Sequence, residues 1–208
     1  MNPLKKTLAT LTLIATTLVV FMAFRPEGGY KPGDAASDFK LKNVNGKMVS
    51  MADNKSAKGF IVVFTCNHCP FSQAYEQRII ALHKKYADKG YPVIAINPND
   101  KDIVPEDSFE EMQKRAKENK YPFPYLWDET QATARSYGAV RTPHVFVVQK
   151  EGDKFMVRYI GAIDDNADDP AAVKDKYVET AVNELLEGKS VKQNFTKAIG
   201  CTIKWGKN

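Results

Sequence analysis

The 208-residue sequence has little cysteine and histidine, with three of each. Three cysteines are too few for a small disulfide-stapled scaffold, and a chain of this length can bury a core without one. A structural zinc site needs a full set of closely spaced Cys and His ligands. Besides Cys66 and Cys69, which share one short motif, the remaining candidates are isolated from one another: Cys201, His83 and His144. No metal and no other cofactor is therefore expected.

The chain also lacks a run of basic residues and any internal repeat. Lys and Arg number 30 against 25 Asp and Glu, a formal net charge of +5, but the basic residues are scattered along the sequence. A nucleic-acid groove needs its positive charge concentrated on one surface. The sequence therefore predicts a globular protein with no nucleic-acid partner.

One long apolar run is present, at the N-terminus. Lys5 and Lys6 precede an uncharged stretch over residues 7–24, which is typical of a secretory signal or a single membrane anchor. Phe21 is large for the position where a cleavage site usually has a small residue. Residues 1–24 are predicted to be a signal peptide or an N-terminal membrane anchor. Either one places the rest of the chain outside the cytoplasm, in the periplasm or cell envelope, as a secreted or membrane-tethered protein.

The remaining chain divides into three parts. Residues 25–36 are rich in Gly and Pro and are predicted to be a linker. Residues 37–190 alternate strand and helix patterns and are predicted to form one α/β domain. Residues 191–208 form a C-terminal tail that carries Cys201.

The order of these patterns predicts the fold class. Alternating residues around Asn45-Gly46 predict a β-hairpin, and the apolar run from Gly59 to Phe64 predicts a buried parallel strand. A helix from Cys69 to near Gly90, a second buried strand, two more helices, a strand pair around Glu151-Gly152 and a last helix follow. We therefore expect an α/β thioredoxin-like fold: a central mixed sheet flanked by helices, with an N-terminal β-hairpin extension.

Cys66-Asn67-His68-Cys69 lies between the predicted buried strand and its helix. At such a turn the first sulfur can face solvent, and the helix N-terminus stabilises its thiolate. We expect Cys66 to attack a partner disulfide and Cys69 to resolve the mixed disulfide, while His68 adds positive charge or a hydrogen bond. This setting favours a thiol-disulfide oxidoreductase that acts on protein thiols and disulfides.

Thr142-Pro143 stands at the start of a predicted strand. A cis bond before Pro143 would offer an open backbone edge to a substrate chain. Pro143 is therefore assigned to the catalytic set, and Thr142 and Arg141 are candidate substrate-binding residues.

Four segments together resemble the thioredoxin-like proteins of the redoxin (AhpC/TSA-related) group: FTCNHCPFS, YPFPYLWDETQATARSYGAVRTP, YIGAIDDN and IGCTIKW. The resemblance covers about residues 33–205. It implies that Cys66 and Cys69 are the redox pair and that Pro143 is the cis-proline facing them. Related sequences often carry a Cys two residues before that proline, where this chain has Arg141, so a mechanism that needs that thiol is not expected.

A thiol-dependent peroxidase is the alternative. Peroxiredoxins place a Thr three residues before the attacking Cys, and here that position is Cys66 for Cys69 and Val63 for Cys66. Two features nevertheless favour it: Arg141 precedes a strand, and residues 201–205 have the C-x-x-x-W pattern of C-terminal resolving cysteines. Cys201 is thus a candidate third redox thiol, with inert packing as the other interpretation.

The sequence shows no acid at the expected buried position. No carboxylate interrupts the strand GFIVVF, and Glu76, two turns beyond Cys69, is a poor substitute, so a water or His68 is expected to move protons. The acidic run of residues 164–169 lacks the Gly and terminal Glu of a calcium loop and is predicted to be a solvated insertion.

Overall fold

The computed structural model of the chain describes residues 28–207. In chain order its strands and helices are β1 (Ala35–Ala36), β2 (Leu41–Asn43), β3 (Met48–Val49), β4 (Gly59–Phe64), α1 (Pro70–Tyr86), β5 (Val93–Asn97), α2 (Phe109–Glu118), β6 (Tyr125–Trp127), α3 (Ala132–Tyr137), β7 (Arg141–Thr142), β8 (His144–Glu151), β9 (Lys154–Gly161), α4 (Tyr177–Leu186) and β10 (Cys201–Thr202). Short 3₁₀ turns lie at Ala87–Lys89, Pro105–Asp107 and Pro170–Ala172.

An eight-stranded mixed sheet has the order β1-β9-β8-β4-β5-β6-β2-β3. Every residue of β4 is buried, because this strand is central and both of its faces are covered. It pairs in parallel with β5 and antiparallel with β8. β7 and β10 form a separate two-stranded antiparallel sheet.

The core consists of two apolar layers, one on each face of the sheet. Alternate residues of β4 enter opposite layers, since side chains alternate along a strand. Ile61 and Val63 lie in the layer that includes residues of α1, α2 and α4. Val62 and Phe64 lie in the other layer, with Tyr137 of α3. The predicted mixed sheet flanked by helices is confirmed.

The N-terminal hairpin extension is also present. β2 and β3 pair antiparallel around Asn45-Gly46, where Gly46 has a φ of 84°. β2 also pairs with β6, so the hairpin extends one edge of the main sheet. The sequence did not indicate the three-residue strand β6, because it is short and follows two prolines.

Part of the segment predicted as a linker belongs to the fold. Tyr30 is buried and packs edge-to-face on Tyr137, with ring centroids 5.1 Å apart. β1 pairs with β9. The predicted signal or anchor at residues 1–24 lies outside the described residues. Between residues 28 and 207, none of the helices combines the length and apolar character needed to cross a bilayer.

The expectation that the acidic run is solvated is wrong for its first residue. Asp164 is buried and accepts hydrogen bonds from the Tyr75 hydroxyl at 2.8 Å and from Arg78 Nη1 at 2.8 and 2.9 Å. This carboxylate therefore connects the loop after β9 to α1, since a buried charge requires such partners.

The buried position of Ile96 in β5 predicts a large stability loss on truncation. Ile96 is fully buried, whereas Ile103 is 51% exposed. Ile96→Ala should reduce the free energy of unfolding by about 2–5 kcal/mol, because it removes buried methyl groups and leaves a cavity. Ile103→Ala, the matched control, should change it by less than about 0.5 kcal/mol. Urea unfolding of both variants measures this, and equal losses would contradict the assigned core.

Candidate active site

The two cysteines of the motif lie where β4 ends and α1 begins. Cys69 is the N-cap residue of α1, and Pro70 takes the first helical position, where its missing N–H costs no helical hydrogen bond. Cys66 and Cys69 are only 4% and 0% exposed. The expectation that the Cys66 sulfur faces solvent is therefore wrong in this structure.

Cys66 is enclosed by polar side chains. Its Sγ lies 3.2 Å from Thr142 Oγ1, 3.7 Å from Ser72 Oγ and 3.7 Å from His68 Nδ1. Hydroxyl groups and an imidazole can donate hydrogen bonds to a thiolate. Cys66 is thus a buried free thiol with three hydrogen-bonding side chains around its sulfur.

His68 contacts a buried carboxylate, that of Asp107, which the sequence did not indicate. Asp107, from the 3₁₀ turn before α2, is fully buried, and its Oδ2 lies 2.5 Å from His68 Nδ1. The same carboxylate accepts hydrogen bonds from the backbone N–H of Asn67 at 2.6 Å and from the side-chain Nδ2 of Asn99 at 2.8 Å. Several donors offset the cost of burying this charge and fix the imidazole. Glu76 instead binds Arg115 and Tyr121.

Asp107 was missed because its local sequence points elsewhere. Val104-Pro105-Glu106-Asp107 has the proline and acidic residues typical of a helix start. No short-range pattern relates it to His68, 39 residues earlier. A periodic pattern reports the residues along one element and not the contacts between distant ones.

The environment of His68 raises its pKa from 6.5 to about 9. The hydrogen bond with Cys66 is the largest influence that raises it, partial burial opposes the rise, and the charges of Cys66 and Asp107 add to it. His68 is therefore a cation at neutral pH, and it places a positive charge beside the Cys66 sulfur.

The Thr142–Pro143 peptide bond is cis, as predicted. Thr142 is fully buried and contacts both cysteines of the motif: its hydroxyl lies beside Cys66, and its carbonyl oxygen is 3.3 Å from Cys69 Sγ. The residue before the proline therefore lies directly against the sulfur chemistry.

The C-terminal tail brings Cys201 to the same place. Cys69 and Cys201 form a disulfide, with their Cα atoms 6.1 Å apart, although 132 residues separate them in sequence. We expected the disulfide within Cys66 and Cys69. The structure instead leaves Cys66 as the free thiol and pairs Cys69 with Cys201.

Arg141 contacts the tail as well. Its Nη1 donates a hydrogen bond to the Gly200 carbonyl at 2.8 Å, and β10 places Cys201 opposite Thr142. Gly200 has a φ of 158°, and a Cβ at this position would lie 2.2 Å from the Thr142 carbonyl oxygen. Only glycine allows the two backbones to approach this closely.

Comparisons with known proteins agree with the fold. The AhpC/TSA family profile matches residues 32–159. An uncharacterised conserved protein of Geobacillus kaustophilus is 38% identical, with a TM-score of 0.79 over 86% of this chain and 94% of that one. Thiol-disulfide oxidoreductase ResA of Bacillus thuringiensis is 25% identical over 62% of this chain and 70% of its own.

The thioredoxin-like fold is confirmed by a further solved structure. A thiol:disulfide interchange protein of the thioredoxin family from Chlorobium tepidum is 20% identical and has a TM-score of 0.56. The alignment covers 76% of this chain and 98% of that one.

The raised pKa of His68 predicts a pH dependence of stability. Because the folded-state pKa lies above 6.5, the stabilisation is complete below pH 6.5 and is lost as the pH rises through about 9. As the pH rises from 6.5 to about 9, the free energy of unfolding of the wild type should fall relative to that of His68→Gln. Denaturant unfolding across the range tests this, and NMR titration of the His68 ring gives its midpoint directly. A midpoint near 6.5 in the wild type would contradict the described contacts.

Proposed function

Since the chain belongs to the AhpC/TSA family, we propose that it is an extracytoplasmic thiol-disulfide oxidoreductase. It exchanges the disulfide or dithiol of its CxxC motif with the thiols and disulfides of partner proteins. The enzyme class is that of the thioredoxin-like thiol-disulfide oxidoreductases with which the chain shares its fold.

One observation carries this proposal. Cys66 and Cys69 both contact Thr142, the residue that precedes cis-Pro143. Thiol exchange requires an attacking thiolate, a neighbouring sulfur to receive the disulfide and a site that holds the partner chain. Cys66 supplies a free thiol and Cys69 a disulfide sulfur, and the backbone beside the proline holds a strand, β10 in this structure, against them.

The polar groups around Cys66 have separate roles in this chemistry. The His68 cation stands 3.7 Å from the sulfur and offsets the charge of a thiolate there. Asp107 holds the imidazole through its Nδ1 and is therefore a positioning residue. The His68 imidazolium can also give a proton to a thiolate that forms at Cys66 when a disulfide there is reduced, and the neutral imidazole takes that proton back in the reverse reaction.

Less supports the peroxidase alternative. The Thr142 hydroxyl beside Cys66 offers one group that could hold a peroxide oxygen. Arg141, the residue expected to hold the other, donates to the Gly200 carbonyl. The arginine is therefore engaged by the tail in this structure, and disulfide exchange remains the function that the site supports best.

We place this activity outside the cytoplasm. The support is the sequence of residues 1–24, two lysines followed by an uncharged run. A protein tethered or secreted in this way meets partners with exposed thiols and disulfides. Fractionation of cells that express the full chain, followed by N-terminal sequencing, tests the location and whether the segment is cut. Recovery in the cytoplasmic fraction would overturn the proposed location.

The proposed activity predicts catalysis of insulin reduction by dithiothreitol. The wild-type full chain should accelerate the reaction, and Cys69→Ser should return it to the uncatalysed rate because every proposed exchange passes through this sulfur. Met48→Ser changes an exposed residue of the edge strand β3, four strands along the sheet from β4, and should keep the wild-type rate. No acceleration by the wild type, together with rapid peroxide-dependent oxidation of dithiothreitol, would favour the peroxidase instead.

A further inference from the structure

We propose that Cys201 is a third catalytic thiol, the one that exchanges directly with the partner protein, while Cys69 passes the disulfide on to Cys66. This inference rests on the proposed function and adds the order of exchange: partner, Cys201, Cys69, Cys66. The C-terminal strand β10 thereby pairs with the edge beside cis-Pro143, in the place that a strand of a substrate protein would take.

Access to the three sulfurs supports this order. Cys66 and Cys69 are buried, at 4% and 0% exposure, whereas Cys201 is partly exposed. A thiolate must approach a disulfide along its S–S axis, so we expect it to attack the more exposed of the two bonded cysteines. An incoming protein thiol therefore meets Cys201 first.

Hydrogen bonds hold the backbone on both sides of Cys201. On one side the Gly200 carbonyl accepts a hydrogen bond from Arg141. On the other, Ile203 is buried and donates its N–H to the Val140 carbonyl at 3.3 Å. These contacts hold Cys201 opposite Thr142, where a partner strand would otherwise pair.

Lys204, which follows Ile203 in the tail, is also held by hydrogen bonds. The Lys204 N–H donates to Asn99 Oδ1 at 2.9 Å, and its carbonyl accepts from the Asp100 N–H at 3.0 Å and from Gln131 Nε2 at 2.8 Å. These three hydrogen bonds hold the tail by its backbone. They fix the register of β10 and keep the Cys201 sulfur against Cys69.

The exchange with a partner begins at the Cys201 sulfur. A partner thiolate attacks Cys201 Sγ, the Cys69–Cys201 bond breaks, and Cys69 leaves as a thiolate at the N-terminus of α1, where the helix dipole stabilises it. A second partner thiol then attacks the mixed disulfide and releases Cys201. The partner is oxidised to a disulfide, and Cys69 and Cys201 together gain two electrons and two protons.

An internal exchange connects this reaction to Cys66. The Cys66 thiolate attacks Cys69 Sγ, a Cys66–Cys69 bond forms, and Cys201 leaves as a thiolate. No electrons are gained or lost, so the oxidised protein has two disulfide isomers. Both sulfurs of the motif contact Thr142, so the exchange takes place within one small pocket.

Single-cysteine variants of the full chain distinguish this order from direct attack by Cys66. In insulin reduction by dithiothreitol, Cys201→Ser should be slower than wild type by at least about tenfold, because the accessible sulfur is lost. Cys66→Ser should also be slowed, but by a smaller factor than Cys201→Ser, because Cys66 takes up the disulfide only after the outer two thiols have exchanged with the partner. Lys197→Ser, at an exposed position of the same tail, is the control and should match the wild type. The reverse ranking of the two cysteine variants would overturn the proposal.

A trapping experiment uses Cys69→Ser, in which a mixed disulfide cannot be resolved by Cys69. After incubation with oxidised glutathione, peptide mapping should find glutathione on Cys201 in excess over Cys66. More glutathione on Cys66 than on Cys201 would overturn the proposal while leaving thiol exchange intact. If the wild type neither reduces insulin nor reacts with glutathione, the proposed function itself fails. Far-ultraviolet circular dichroism confirms that each variant is folded.

Discussion

The burial of β4 on both faces is the constraint on which the site depends. A fully buried central strand must pair on both sides, and the pairing with β8 sets Phe64 opposite His144. The turn that follows β4 and the proline that precedes β8 therefore meet at the same end of the sheet. The reactive sulfurs are brought to the cis-proline by strand register and not by their own interactions.

The polar groups of the site obey a second constraint, which is the cost of burying charge. Asp107 is fully buried, and its carboxylate is surrounded by donors from His68, Asn67 and Asn99. Such a network is stable only when every member is present. It fixes the orientation of His68 and, through it, the charge beside Cys66. The chemistry and the packing are thus satisfied by the same side chains.

Local patterns predicted much of this arrangement. The apolar run of β4, the Asn45-Gly46 turn and the helix pattern after Cys69 each report a single element, and the CxxC and Thr142-Pro143 positions follow from them. Asp107, β6 and the partner of Cys69 could not be predicted in this way. Each depends on a contact between residues far apart in sequence, 132 residues in the case of the disulfide. Spacing along one chain segment carries no information about such contacts.

The disulfide between Cys69 and Cys201 has a consequence for the whole chain. It closes a loop that spans most of the described residues. Such a closure lowers the conformational entropy of the unfolded chain, and this stabilises the folded state by about 5 kcal/mol in the chain-entropy model. Folding and oxidation are then linked in one thermodynamic cycle, in which a well-packed fold favours the bond as much as the bond favours the fold. A partner that removes or supplies the two electrons therefore also changes the stability of the entire domain.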